Sequence, residues 1–220
     1  MIWNKMAVKM VMTAMILLPL AAPAEKPKPE IYLTPLDQYS RMGKGLALRH
    51  EQELVSMAFR VNEEIQSDRF EMLDLSRSPM GGIGFWSNPS VLVPEPRYLA
   101  AMARVNVKLI YFPDNNWGRV GDALDAFGKE LLRILGETVE EINDNQVRGA
   151  VMVLVYSKDE LSDPQYWTHA EAAVFFIPRE ALKKFNTHRM TFQELFDLSD
   201  IYVFKGPEEI EILLTQFISG

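Results

Sequence analysis

Cysteine is missing from all 220 residues. Its absence excludes disulfides, thiolate metal sites, a cysteine nucleophile and lipid attachment at a lipobox cysteine. Histidine is nearly missing too, with only His50, His169 and His188 in the chain. The pair of histidines at i and i+4 that places two imidazoles on one helix face does not occur, and His50 beside Glu51 and Glu53 reads as a helix-surface histidine among carboxylates. Basic residues are outnumbered, 23 against 30 acidic ones, for a net charge of −7. An acidic surface repels phosphate backbones and anionic membranes, so nucleic acid is disfavoured as a partner.

Several motifs are also missing. There is no G-x-S-x-G elbow, no dinucleotide or phosphate-loop glycine pattern, and no D-x-D-x-D-G calcium loop. His169-Ala170-Glu171 has the H-x-E spacing of zinc deaminases, but those sites also require P-C-x-x-C, which a cysteine-free chain cannot supply. Neither a metal nor a cofactor is expected. What survives is a histidine and a carboxylate on one side of a strand start, so His169 and Glu171 are the candidates for acid/base catalysis.

The first stretch is the most informative one present. Lys5 and Lys9 form a basic head, Met10 to Ala21 is apolar, and Ala22-Pro23-Ala24 places small residues at both positions of an A-x-A cleavage site. An apolar run of 12 residues is shorter than the roughly 20 of a membrane span, so cleavage after Ala24 is expected, leaving no stable membrane span. Removing 24 of the 220 residues leaves 196; two of the 23 basic and none of the 30 acidic residues go with them, so the remainder carries −9. No twin-arginine signature accompanies the run, which points to export before folding. The expected location is the periplasm or the cell exterior.

Glu25 to Glu30, EKPKPE, reads as a proline-containing linker, and residues 31–220 as a single α+β domain. Pro35 is placed at the start of the first helical region. Residues 46–66 carry helical periodicity, with Leu54, Ala58, Val61 and Ile65 on one stripe. FEMLDL at 70–75 alternates like a short strand. Ser76 to Pro96 holds four prolines and three glycines together with Met80, Ile83, Phe85 and Trp86, and reads as a long binding loop with a short strand at 91–93. Residues 104–112 alternate as a half-buried strand, and a helix is expected over 117–142, ended by Asn143-Asp144-Asn145. Residues 147–156, VRGAVMVLVY, are continuously apolar, which implies a central strand. A strand at 171–177, a short helix at 178–185, a capping box at Thr191 to Glu194 ahead of a second short helix, a strand at 201–204 and a helix at 208–217 complete the order. From Arg104 onward this is the split βαβ pattern of a ferredoxin-like fold, with an antiparallel or mixed sheet, helices on one face and an N-terminal helical layer.

Two further features point towards contacts. Gly121, Gly128 and Gly136 fall on one side of the expected long helix, where their cost to the helix is explained by close approach of another element. Phe85, Trp86, Trp117, Tyr166 and Trp167 lie in expected loops or helix starts, and converging aromatics make a binding surface. The sequence therefore points to an exported, non-enzymatic binding or assembly module of the periplasm or cell envelope with an envelope or periplasmic protein as partner. The alternative is a periplasmic hydrolase or small-ligand enzyme built on His169 and Glu171. Oligomeric state is not legible.

Overall fold

The computed structural model describes residues 32–65, 70–72, 82–90, 96–105, 120–121, 124–157 and 170–206. The expected signal segment, the linker, the strand at 91–93 and the helix at 208–217 lie outside them. The 46–66 periodicity resolves into two helices, α1 (Arg41–Arg49) and α2 (Glu51–Glu64). Ser40 caps α1 by accepting from the Gly43 amide, and the chain then kinks at His50, whose φ of −116° and ψ of 27° leave the helical region. The charges fit two helices rather than one. Arg49 sits in the last turn of α1, whereas Glu51 and Glu53 occupy the first turn of α2, each complementing its own macrodipole. The stripe Leu54, Ala58, Val61 and Ile65 is buried as its spacing predicts, joined by Met57.

Six strands form one mixed sheet: β1 (Phe70–Met72), β2 (Ile83–Ser87), β3 (Pro96–Val105), β4 (Gly149–Ser157), β5 (Ala170–Pro178) and β6 (Asp200–Phe204). Five of them run in the order β1-β3-β4-β5-β6, and β2 pairs with β3 beyond the end of β1. Among the described strands only β3 and β4 pair in parallel, with Tyr98 opposite Gly149 and Ala101 opposite Met152. The ferredoxin-like order is not observed. It would place the last strand beside the first and separate the two parallel strands, whereas β6 pairs with β5 and β3 bonds directly to β4. What holds is the coarser class, an α+β chain with a mixed sheet.

β4 is central, as its continuous apolarity requires, with Ala150 to Tyr156 all fully buried. Two elements differ from expectation. The first described strand of the parallel pair is β3 at 96–105, which overlaps the expected 104–112 only at Arg104 and Val105; residues 106–112 lie outside the described set. Leu99 to Ala103, LAAMA, is buried on both sides and rich in alanine, leucine and methionine, so neither alternation nor β-branching marks it as a strand. The second is β2, which lies inside the expected 76–96 loop. Gly84 is there for packing rather than turning: a Cβ would lie 1.9 Å from the Tyr39 hydroxyl and 2.6 Å from the Thr34 Oγ1. The Phe85 amide donates to that buried Tyr39 hydroxyl at 3.2 Å. Along the outer edge of β2, the Thr34 amide donates to the Ile83 carbonyl at 2.7 Å and the Gly82 amide to the Tyr32 carbonyl at 2.9 Å.

The expected 117–142 helix is described as helical residues at 120–121, a π-helical turn (Leu124–Gly128) and α3 (Lys129–Ile142). A π turn carries an extra residue, which rotates everything beyond it out of a uniform helical wheel. The three glycines meet different neighbours. A Cβ on Gly121 would meet nothing within 4 Å, one on Gly128 would lie 3.5 Å from the Phe192 ring, and one on Gly136 would lie 2.1 Å from the Asn186 amide nitrogen. Close approach is thus realised at Gly136. Asn143 ends α3 in the left-handed region at φ 42°. Pro178 caps α4 (Arg179–Asn186) from its N-cap position, and Thr191 and Glu194 form the reciprocal capping box of α5 (Phe192–Asp197).

The described helices cover one face of the sheet. His50 stands 6.2 Å from the Phe85 ring and Phe196 of α5 stands 5.2 Å from Phe175. Phe85 and Phe175 point to the same side, which the register connects through Leu99, Ala101 and Met152. α3 packs between α2 and α4, and α4 packs on α5. The opposite face is equally buried, with Val151, Val153, Val174 and Phe176 no more than 1% exposed.

Candidate functional site

Phe85 and Trp86 occupy β2 and are fully buried. They belong to the core, and the expectation of a loop-borne aromatic surface is corrected for this pair. Trp117, Tyr166, Trp167 and His169 lie outside the described residues. Glu171 is fully buried at the start of β5, directly across the ladder from the equally buried Tyr156, on the side that faces the helices. Among the described residues, no group of three His, Asp or Glu side chains is placed to hold a metal ion, and no helix is long and apolar enough to cross a membrane.

Among the described residues, three clusters of converging polar side chains stand out first. The first is the corner at Asp144, where the turn after α3 meets the α1–α2 kink. His50 Nε2 lies 3.1 Å from Asp144 Oδ2, Arg49 lies 3.2 Å from the same oxygen, and the Gln146 amide donates to Oδ1 at 2.8 Å. Arg179 donates to the Asp144 carbonyl at 3.0 Å, and Arg49 also bonds Gln146. The Asp144 carboxyl is held below its ordinary range, first by the Gln146 amide and then by His50 and Arg49. His50 is 12% exposed, with Glu53 3.9 Å from its second nitrogen. An imidazole held between two carboxylates, with no hydroxyl described beside it to activate, ties elements together.

The second cluster is a strap. Asn88 and Ser90 follow β2 at one edge of the sheet, yet both reach Asp200 of β6 at the other, each donating to its Oδ2 at 2.7 Å. The Ser90 amide donates to the Asn88 Oδ1 at 2.9 Å, closing a local turn. Beneath the strap, Tyr98, Phe176 and Tyr202 meet edge to face, at 5.4 Å and 5.9 Å. Burial pushes both phenols above their ordinary range, so they stay neutral near pH 7. Among the described residues the Ser90 hydroxyl has a carboxylate, an amide oxygen and the Tyr202 phenol as neighbours and no imidazole, so the arrangement clamps two sheet edges.

The third cluster runs along the outside of α2. Arg60 bonds Glu64 at 3.2 Å and also Glu137, while Arg133 of α3 bonds Glu64 and Glu137. The Glu64 carboxyl is held below its ordinary range, chiefly by Arg133. Beside this seam, exposed Phe59 and half-buried Val55 lie on the outward face of α2 among Glu51, Gln52, Ser56, Arg60, Glu63 and Glu64. Phe59 is 48% exposed, an unusual position for the largest side chain on the helix. The buried stripe of α2 is the stronger periodic signal in the sequence and masks it. The signal was present in the i, i+4 pair Val55 and Phe59 on the charged side of the helix.

No known family matches the chain, and neither a curated protein nor a solved structure is found to be similar to it.

Proposed function

We propose that the chain is an exported binding or assembly module that docks a protein of the periplasm or cell envelope and carries no catalysis of its own. The observation that carries this reading is the outer face of α2. Val55 and half-exposed Phe59 stand on that outward face, and the surrounding polar groups leave an acidic rim through Glu51 and Glu63, with Arg60 tied up by Glu64 and Glu137. An apolar anchor inside a polar rim is the usual anatomy of a protein contact. The acidic rim selects a partner that presents an apolar side chain flanked by lysine or arginine. The N-terminal pattern around Lys5, Lys9 and Ala22-Pro23-Ala24 supplies the address.

Two measurements test the reading. Cell fractionation and the mass of the purified protein report export and cleavage, with a chain starting at Glu25 outside the cytoplasm as the expected result. A benzophenone side chain placed at position 59 and irradiated in intact cells should give a discrete adduct with one envelope protein, whereas the same group at exposed Leu198 should not. Cytoplasmic retention, or identical adducts from both positions, contradicts it.

A further inference from the structure

At the end of the sheet where β4 begins and β5 runs into α4, a groove of about 510 Å³ opens. Its charge is opposite to that of the chain as a whole. Arg148, Arg179 and Lys183 line it against two carboxylates, Glu140 and Glu180, in a protein whose net charge is −7. Glu140 meets Arg179 and Lys183 only at 3.6 Å and 3.8 Å, too long for strong hydrogen bonds. Arg179 is held in place by its bond to the Asp144 carbonyl at 3.0 Å. Arg148 differs from the other two. Its backbone is fixed, with the amide donating to the Arg97 carbonyl and the carbonyl accepting from the Arg179 amide, but its exposed guanidinium makes no ion pair among the described residues. The exposed Asn143 and Asn145 line the same groove and add amide donors to it.

We infer that this groove binds an oxyanion, a carboxylate or phosphate group of a small ligand or of a larger molecule's end, with Arg148 as the principal contact and Lys183 as the second cation. A guanidinium presents paired donors that match the two oxygens of either group. Arg179 serves as the fixed floor of the site, and Glu180 on the rim restricts ligands with further negative charge next to the bound group. The site is separate from the α2 face, so its failure would leave the docking reading untouched.

Calorimetric or NMR titration of the purified protein with inorganic phosphate and, separately, with succinate at constant ionic strength tests the inference, with chloride as the screening control. Saturable binding in the millimolar range is expected for at least one of the two, and the one that saturates identifies the source chemistry. Arg148→Ala should weaken it by about tenfold or more, since bonds to charged groups are the strong ones. Lys183→Ala should weaken it less, and Arg189→Ala, away from the groove, should leave it unchanged. Both backbone bonds of Arg148 survive the substitution, and an unchanged melting temperature will show that the fold does too. Absence of saturable binding with either anion, or equal binding by Arg148→Ala, overturns the inference.

Discussion

Phe85 on β2 and Phe59 on α2 are the same side chain in opposite settings, one fully buried and the other 48% exposed. β2 is sealed on every side. It is paired with β3, bonded along its outer edge to residues 32–34, met by Tyr39 at Gly84, and covered at Phe85 by His50. α2 is sealed on one side only, against the sheet and α3, and its other side keeps Val55 and Phe59 in contact with solvent. An aromatic surrounded by glycine and proline in sequence is therefore no guide to exposure. Here the aromatic on the charged side of a helix is the one of the two that stays exposed.

The comparison can be broken most forcefully at β2. Phe85→Ala should cost about 3–5 kcal/mol, because a fully buried ring leaves a cavity that the sheet cannot close, and chemical denaturation would measure it. A loss below about 1 kcal/mol would mean that β2 is peripheral. Gly149→Ala strikes the same sheet from its centre, since the added methyl would lie 2.0 Å from the Ile177 carbonyl oxygen. Overpacking of this kind costs about 1–3 kcal/mol, and against a backbone atom the upper end is expected in the same unfolding curves.

The polar corners sharpen the contrast further. Asp144→Ala removes the acceptor shared by Gln146, His50 and Arg49 and should cost about 1–2 kcal/mol at neutral pH. Because the Asp144 carboxyl is lowered in the folded state, its contribution is complete above the ordinary carboxylate value and is lost as pH falls through the lower, folded one. Unfolding curves for the two proteins should therefore converge in acid below about pH 4. Arg133→Ala, which opens the solvent-exposed seam between α2 and α3, should cost less than about 1 kcal/mol and respond to salt. A larger, salt-independent loss would mean that the seam is a structural centre.

The legible parts of the fold were those whose local chemistry agreed with their tertiary role. Thr191 and Glu194 form the capping box their spacing predicts, Asn143 ends α3, and the apolar run of β4 is central. β2 and β3 were hidden because their residues do other work: Gly84 clears room for Tyr39, and Leu99 to Ala103 of β3 are buried without alternation. The strand order was hidden because the alternating pattern of β6 suits either neighbour, and which strand it bonds is not written in its own residues. Of the candidate site, the aromatics were sought where turns are dense. The α2 face was hidden because a helix that already buries one stripe draws no attention to its other side.

That face is the proposed docking surface, and affinity for the envelope protein that cross-links at position 59 is the quantity to measure. Phe59→Ser should leave the melting curve unchanged, as expected of an exposed substitution worth no more than about 0.5 kcal/mol in stability. The same variant should lose saturable binding to that protein, which the parent retains. Equal binding by the parent and by a fully folded Phe59→Ser protein would contradict the assignment of α2 as the docking surface.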